Sequence, residues 1–134
     1  MADVGSAIVG RLEADEAWTA AIDGRLDWGA SLPETPYPRA VANFITRDRP
    51  DHYTGSDMAF SRLQLDVYSA VSSGEAAEIA ELAIDVLQPE DTAGGVRFCR
   101  AVEVDGPTDG GDQTETLYVY RARTEFALLH ANEG

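Results

Sequence analysis

The sequence contains no lysine, and its ten positive charges are all arginine: Arg11, Arg25, Arg39, Arg47, Arg49, Arg62, Arg97, Arg100, Arg121 and Arg123. Neither glycine pair, Gly94-Gly95 or Gly110-Gly111, is followed by the Lys-Ser/Thr of a phosphate cradle or by a helix start, so both read as turns. A single cysteine, Cys99, excludes an internal disulfide and a cysteine-based zinc site; within a strand-like run it reads as a small buried apolar residue. Two histidines, His52 and His130, have no second metal ligand at a helical or hairpin spacing and read as solvated side chains. No serine stands in a Gly-x-Ser-x-Gly elbow. The longest apolar runs, such as Phe126-Ala127-Leu128-Leu129, fall far short of the roughly 20 residues a membrane-spanning helix needs. Met1-Ala2-Asp3-Val4 carries an early acid and no basic stretch, unlike a signal peptide, so a cytosol-like place of synthesis is expected. No enzyme, cofactor, metal or membrane reading survives these absences.

What remains is an acidic chain of 134 residues with ordinary globular composition, 44% hydrophobic and 25% charged. That length is expected to form one domain over residues 1–134, burying roughly two-thirds of the surface its unfolded form exposes. Asp and Glu number 24, and the net charge of −14 argues against a protein that grips nucleic-acid phosphates. The exclusive use of arginine fits GC-rich coding. It also fits interfaces, where the planar guanidinium pairs carboxylates bidentately.

Along the chain, Val4, Ile8, Leu12, Ala17, Trp18 and Ala21 place a helix over 4–21, with a possible break at Asp15-Glu16 and an end at Gly24. Arg25-Leu26-Asp27-Trp28 allows a short strand. Three prolines (Pro33, Pro36, Pro38) forbid a helix and suggest entry into an edge strand over 39–47. Residues 48–57 read as a polar loop. Residues 58–69 alternate cleanly, Leu63, Leu65 and Val67 against Arg62, Gln64, Asp66 and Tyr68, as a half-buried strand does. Ser72-Ser73-Gly74-Glu75 fits a capping box that opens a helix running to about Gln88. Its stripe is Ala76, Ile79, Ala80, Ala83, Ile84 and Leu87, with Glu78, Glu81 and Asp85 facing water and Pro89 as the stop. Val96, Phe98, Val102 and Val104 mark a further strand. Asp105 to Asp112 reads as an acidic flexible loop that lacks the spacing of a calcium loop. Thr114 to His130 is a final strand with Tyr118, Tyr120, Ala122, Thr124, Phe126 and Leu128 on one face. The expected fold is α+β: an antiparallel or mixed sheet of about four to five strands with two helices packed on one face.

The run Ser61-Arg62-Leu63-Gln64-Leu65-Asp66-Val67-Tyr68-Ser69, followed by the helix from Glu75-Ala76-Ala77-Glu78-Ile79-Ala80 to Leu87, resembles the tail terminator (tail completion, or tail-to-head joining) proteins of long-tailed bacteriophages. The opening segment Leu12-Glu13-Ala14-Asp15 to Ile22-Asp23-Gly24-Arg25-Leu26, the proline-rich entry Leu32 to Pro38 and the closing Thr124-Glu125-Phe126-Ala127-Leu128 resemble that family in the same order. The resemblance spans nearly the whole chain and rests on structural motifs. A second proline in Pro36-Tyr37-Pro38 and the long Asp/Gly stretch at 105–113 depart from it.

The resemblance implies a structural virion protein of the tail and neck, assembled in the host cytoplasm. It implies a ring, usually a hexamer, that caps the tail tube, ends its growth and joins the tail to the head-side connector or stopper while DNA passes through its pore. Such a ring needs a heterologous interface that closes and a lumen that does not hold DNA. Six copies would carry about −84, a field that repels phosphate. Candidate acids for the channel or its rim are Asp105, Asp109 and Asp112. Candidate contacts to neighbouring subunits or the tube are Arg47, Asp48, Arg49, Asp51, His52 and Tyr53. Two alternatives stand beside this: another head–tail connector part such as a stopper or minor tail protein, or a small bacterial α+β binding module or enzyme subunit.

Overall fold

The computed structural model describes residues 3–30, 35–47, 58–114 and 117–132, with only the backbone of Arg47 and Asn132. Two short helices open the chain, α1 (Val4–Glu13) and α2 (Glu16–Ile22). The break falls at Ala14-Asp15 because Asp15 turns extended and its carboxylate accepts from Trp18 N at 2.9 Å, capping α2. Asp3 caps α1 in the same way through Gly5 and Ser6. Asp23 and Gly24 end α2 in left-handed conformations, as the Gly24 stop requires.

The strands are β1 (Leu26–Trp28), β2 (Arg39–Arg47) and β3 (Ala59–Ser69), then α3 (Ser73–Leu87), then β4 (Asp91–Ala93), β5 (Val96–Phe98), β6 (Glu103–Gln113) and β7 (Tyr118–Asn132). They form one mixed seven-stranded sheet in the order β1-β2-β3-β7-β5-β4, with β6 also paired to β7. Among the described strands only β1–β2 pair in parallel. β7 is long enough to hold β3 along one side and both β6 and β5 along the other.

The sheet is larger than the four to five strands expected, and three helices replace two. Each difference has a local cause. Gly94-Gly95, both at positive φ, form a tight turn that folds Asp91–Ala93 back on Val96–Phe98 as an extra hairpin. The acidic stretch at 105–112 is a strand and not a loop: β7 offers it a full ladder, and a register shift between Asp105 and Thr108 absorbs Gly106-Pro107. β2 is covered by β1 along Ala40–Ala42, so the strand after the prolines lies inside the sheet and β1 forms the edge.

The core fills the space between helices and sheet. Leu63, Leu65 and Val67 of β3 meet Ala122, Phe126 and Leu128 of β7 on one face, and Ile8, Leu12, Trp18, Ile79, Ala80 and Ala83 close over them. α3 begins with the expected Ser72 cap, its hydroxyl accepting from Glu75 N at 3.0 Å. The return half of the capping box is different. Glu75 Oε1 accepts from Ser69 Oγ at 2.7 Å, and Ser69 Oγ in turn takes Ser72 N at 3.3 Å, which ties the cap to the end of β3.

Arg11, a buried arginine, secures the other end of α3. Its guanidinium donates to Val86 O at 2.7 Å and Pro89 O at 2.8 Å, lies 3.5 Å from Asp91 and sits over the Phe98 ring. The last turn of α3 has no basic residue of its own, so α1 supplies the cation that its free carbonyls favour. Burial pulls the Arg11 guanidinium below its ordinary pKa, and Asp91 opposes that shift.

Candidate functional site

Among the described residues no three His, Cys, Asp or Glu side chains gather where a metal ion could sit. No described helix is long and apolar enough to cross a membrane. The described residues form three distinct candidate surfaces.

The first is the face of the sheet opposite the helices. Register places Arg39, Val41 and Asn43 of β2 beside Gln64, Asp66 and Tyr68 of β3, and these beside Arg121, Arg123 and Glu125 of β7. Its centre is an ion pair. Arg123 Nε donates to Asp66 Oδ1 at 2.8 Å and Nη2 to Oδ2 at 3.1 Å, and Gln64 Nε2 adds a bond to Oδ2 at 3.2 Å. The hydrogen bond to Asp66 raises the Arg123 pKa, more than burial lowers it. The Tyr68 phenol is pushed up, first by burial and then by the Asp66 charge. The pair satisfies a carboxylate on a sheet face that no helix covers, and this face holds both signs of charge.

The second is the β6 edge. Asp105, Asp109 and Asp112 are all exposed on it. Asp105 stands opposite Glu125 and Asp112 opposite Val119, on the uncovered face, whereas Asp109 stands opposite Ala122, toward the helix side. The three acids share an edge but not a face. Most of the exposed helix-side charge lies elsewhere: Glu13, Glu16, Glu78, Glu81 and Asp85 face solvent, and the helices contribute only the buried Arg11 as a cation.

The third surface is a groove of about 540 Å³ between α1 and the β1–β2 edge. Trp28 and Phe44 stand edge to face at 5.1 Å in its wall, and Trp28 is 40% exposed. The α1 side is made of Gly5, Ser6, Val9 and Gly10, with Asp3 and Glu13 at the two ends. A Cβ at Gly5 would stand 3.3 Å from the Trp28 ring, so glycine there lets the indole lie against the helix. A Cβ at Gly10 would meet nothing within 4 Å, so its missing side chain is open space in the groove.

Of the sequence candidates for a contact loop, Asp48, Arg49, Asp51, His52 and Tyr53 lie outside the described residues. Arg47 ends β2, paired with Ser61. His130 is not solvated: it is 5% exposed and its Nε2 is 2.8 Å from Ser61 Oγ, both buried. Cys99 follows β5 and is half-buried and not a core residue. Sequence reasoning missed the groove and the Asp66–Arg123 pair. The pair had a signal, opposite charges on the polar sides of two alternating strands; the groove had none.

The comparisons with known proteins agree with this architecture. The family model for "Tail completion protein gp17" matches residues 6–129, and the chain belongs to that family of structural virion proteins. No curated protein sequence matches the chain. A solved chain described as "Virion of native gene transfer agent (GTA) particle" shares the fold, with a TM-score of 0.57 at 17% identity over 98% of this chain and 95% of that one. A second solved chain, which carries no functional description, has a TM-score of 0.56 at 14% identity over 98% and 94%. The chain is a tail-associated structural protein of a phage or phage-like particle.

Proposed function

We propose that this tail completion protein acts as a single folded unit whose copies close into a ring, a hexamer, on the last ring of the tail tube. The ring ends tube growth, presents its other side to the head-side connector or stopper, and leaves a pore through which DNA passes without being held. Assembly takes place in the host cytoplasm, at the neck of the growing particle. The observation that carries the reading is the family match over residues 6–129. The charge of −14 supports the non-gripping pore, because carboxylates repel a phosphate backbone and release no counterions on contact.

In this reading the exposed β6 edge, with Asp105, Asp109 and Asp112, rims the channel, and the acidic helix side is outer surface that keeps copies soluble. The segment from Arg47 to Tyr53 contacts a neighbouring subunit or the tube.

The test uses tail tube protein polymerised with and without the chain, and particles made with the gene deleted. The expected result is tubes that overrun their normal length and stay free of heads without the chain, and tubes that stop growing when it is supplied. Deleting residues 48–56 is expected to abolish tail attachment while the chain still folds. Tubes of normal length in the deletion particles that lack only heads would assign the chain to a stopper instead. Normal joined particles without it would overturn the reading.

A further inference from the structure

We infer that the α1–β1–β2 groove is the docking site for a second copy of this chain, which enters with the segment carrying Arg97, Arg100 and Val102. The inference rests on the ring reading above and names the surfaces that would meet in it.

The groove is apolar in its wall and acidic at its ends: Trp28 and Phe44 line it, Asp3 and Glu13 bound it, and no cation among the described residues does. Its occupant must be apolar and positively charged. Five of the eight arginines whose side chains are described are engaged, and a sixth, Arg121, is half-buried with its guanidinium against Gly110. Arg11 faces Asp91, Arg25 faces Asp23, Arg62 faces Glu103 and Arg123 faces Asp66. Arg39 donates to Thr35 O and Tyr37 Oη.

Arg97 and Arg100 differ. Both are exposed; among the described residues the Arg97 guanidinium donates to the Met58 sulfur at 4.0 Å and is in no ion pair, and the Arg100 side chain makes no hydrogen bond or ion pair. Val102, two residues on, is 62% exposed. The segment is thus the basic and apolar complement of the acidic and aromatic groove.

Copies that repel through their net charge associate only where opposite charges meet locally, because salt screens the rest within about 8 Å. Groove and segment share no residue, so a contact that is made once within a pair of copies is heterologous. Each copy added leaves one groove and one segment free, and growth continues until the chain of copies closes.

The test is sedimentation velocity of the full chain over a wide concentration range, with two variants. Gly10→Gln fills the groove with a neutral side chain at an open helix position, where glutamine is the better helix former. Arg97→Glu/Arg100→Glu reverses the segment. Circular dichroism confirms that both fold. The wild type is expected to associate beyond a dimer, and each variant to associate at least tenfold more weakly. An equal mixture is expected to form heterodimers and stop there, since only one intact groove and one intact segment remain per pair.

Variants that associate like the wild type, a mixture that yields no heterodimer, or a wild type that stays monomeric throughout each overturn the inference. Loss of tail-tube binding by Gly10→Gln with self-association intact would assign the groove to the tube protein and overturn it as well. The ring reading fails separately, by the particle experiment, which does not depend on association in solution.

Discussion

Replacing Arg123 by methionine isolates the ion pair at the centre of the uncovered sheet face. The Asp66 side chain is 7% exposed and takes two charge-assisted hydrogen bonds from Arg123, whose side chain is 37% exposed. Removing one partner of a fully buried pair costs about 3–5 kcal/mol, because the other charge is left stranded. Here water reaches the arginine and Gln64 keeps its bond to Asp66, which lowers the expected loss to about 2 kcal/mol. Methionine retains much of the alkyl stem, so little packing is lost with the charge. For 134 residues, with an unfolding entropy of about 2.1 cal/mol/K per residue, that loss corresponds to a midpoint lower by about 7 °C. Urea unfolding followed by the fluorescence of Trp18 and Trp28 reads the same change. Adding Asp66→Asn to Arg123→Met removes the stranded charge and is expected to restore about 1 kcal/mol. An Arg123→Met protein within about 0.5 kcal/mol of wild type, or a double variant no better than the single one, would refute the reasoning.

Four further outcomes follow from other parts of the molecule. Gly106 has φ +117° and a Cβ there would lie 2.5 Å from Arg123 O, so Gly106→Ala is expected to destabilise by about 2–3 kcal/mol in a thermal melt, against a few tenths at an open position. Arg11→Met leaves the Val86 and Pro89 carbonyls without their donor in a buried site, and about 2 kcal/mol should be lost in urea titration. Tyr68 has its pKa raised by folding, so above pH 10 the unfolded chain releases a proton that the native one keeps. Stability should then fall as pH rises from about 10 toward the higher native value, and Tyr68→Phe should flatten that slope in urea midpoints measured from pH 8 to 11. In particles, Asp105→Lys/Asp109→Lys/Asp112→Lys should slow DNA release several-fold at low salt and recover as salt screens it, whereas Glu78→Lys/Glu81→Lys/Asp85→Lys should not; equal effects would move the channel away from the β6 edge.

The parts of the fold that could be read in advance are those whose signal is local. The period of two at Leu63, Leu65 and Val67 and the helical stripe from Ala76 to Leu87 each name their buried face, and all of these residues are buried. The Ser72 cap is equally local. Asp105 to Asp112 shows the opposite case. Four glycine and proline residues in that stretch, Gly106, Pro107, Gly110 and Gly111, speak for a loop, and the ladder from β7 overrides them through contacts far off in sequence. His130 reads as solvated because nothing nearby in the chain announces Ser61, its partner 69 residues away. The groove was illegible for the same reason, since Trp28, Phe44 and the α1 glycines come together only when the helix docks on the β1 edge. The family was legible because the order of these segments survives where no single motif is specific.

The account depends most on copies of the chain closing around a pore at the end of the tail tube. Electron cryomicroscopy of intact particles, with the density at the top of the tube fitted by this fold, measures that directly. The expected image is one closed ring of six copies between the tube and the head-side connector, with the β6 edges toward the hole. A single copy at that place, an open arrangement without a pore, or a neck that holds none of this chain would contradict it.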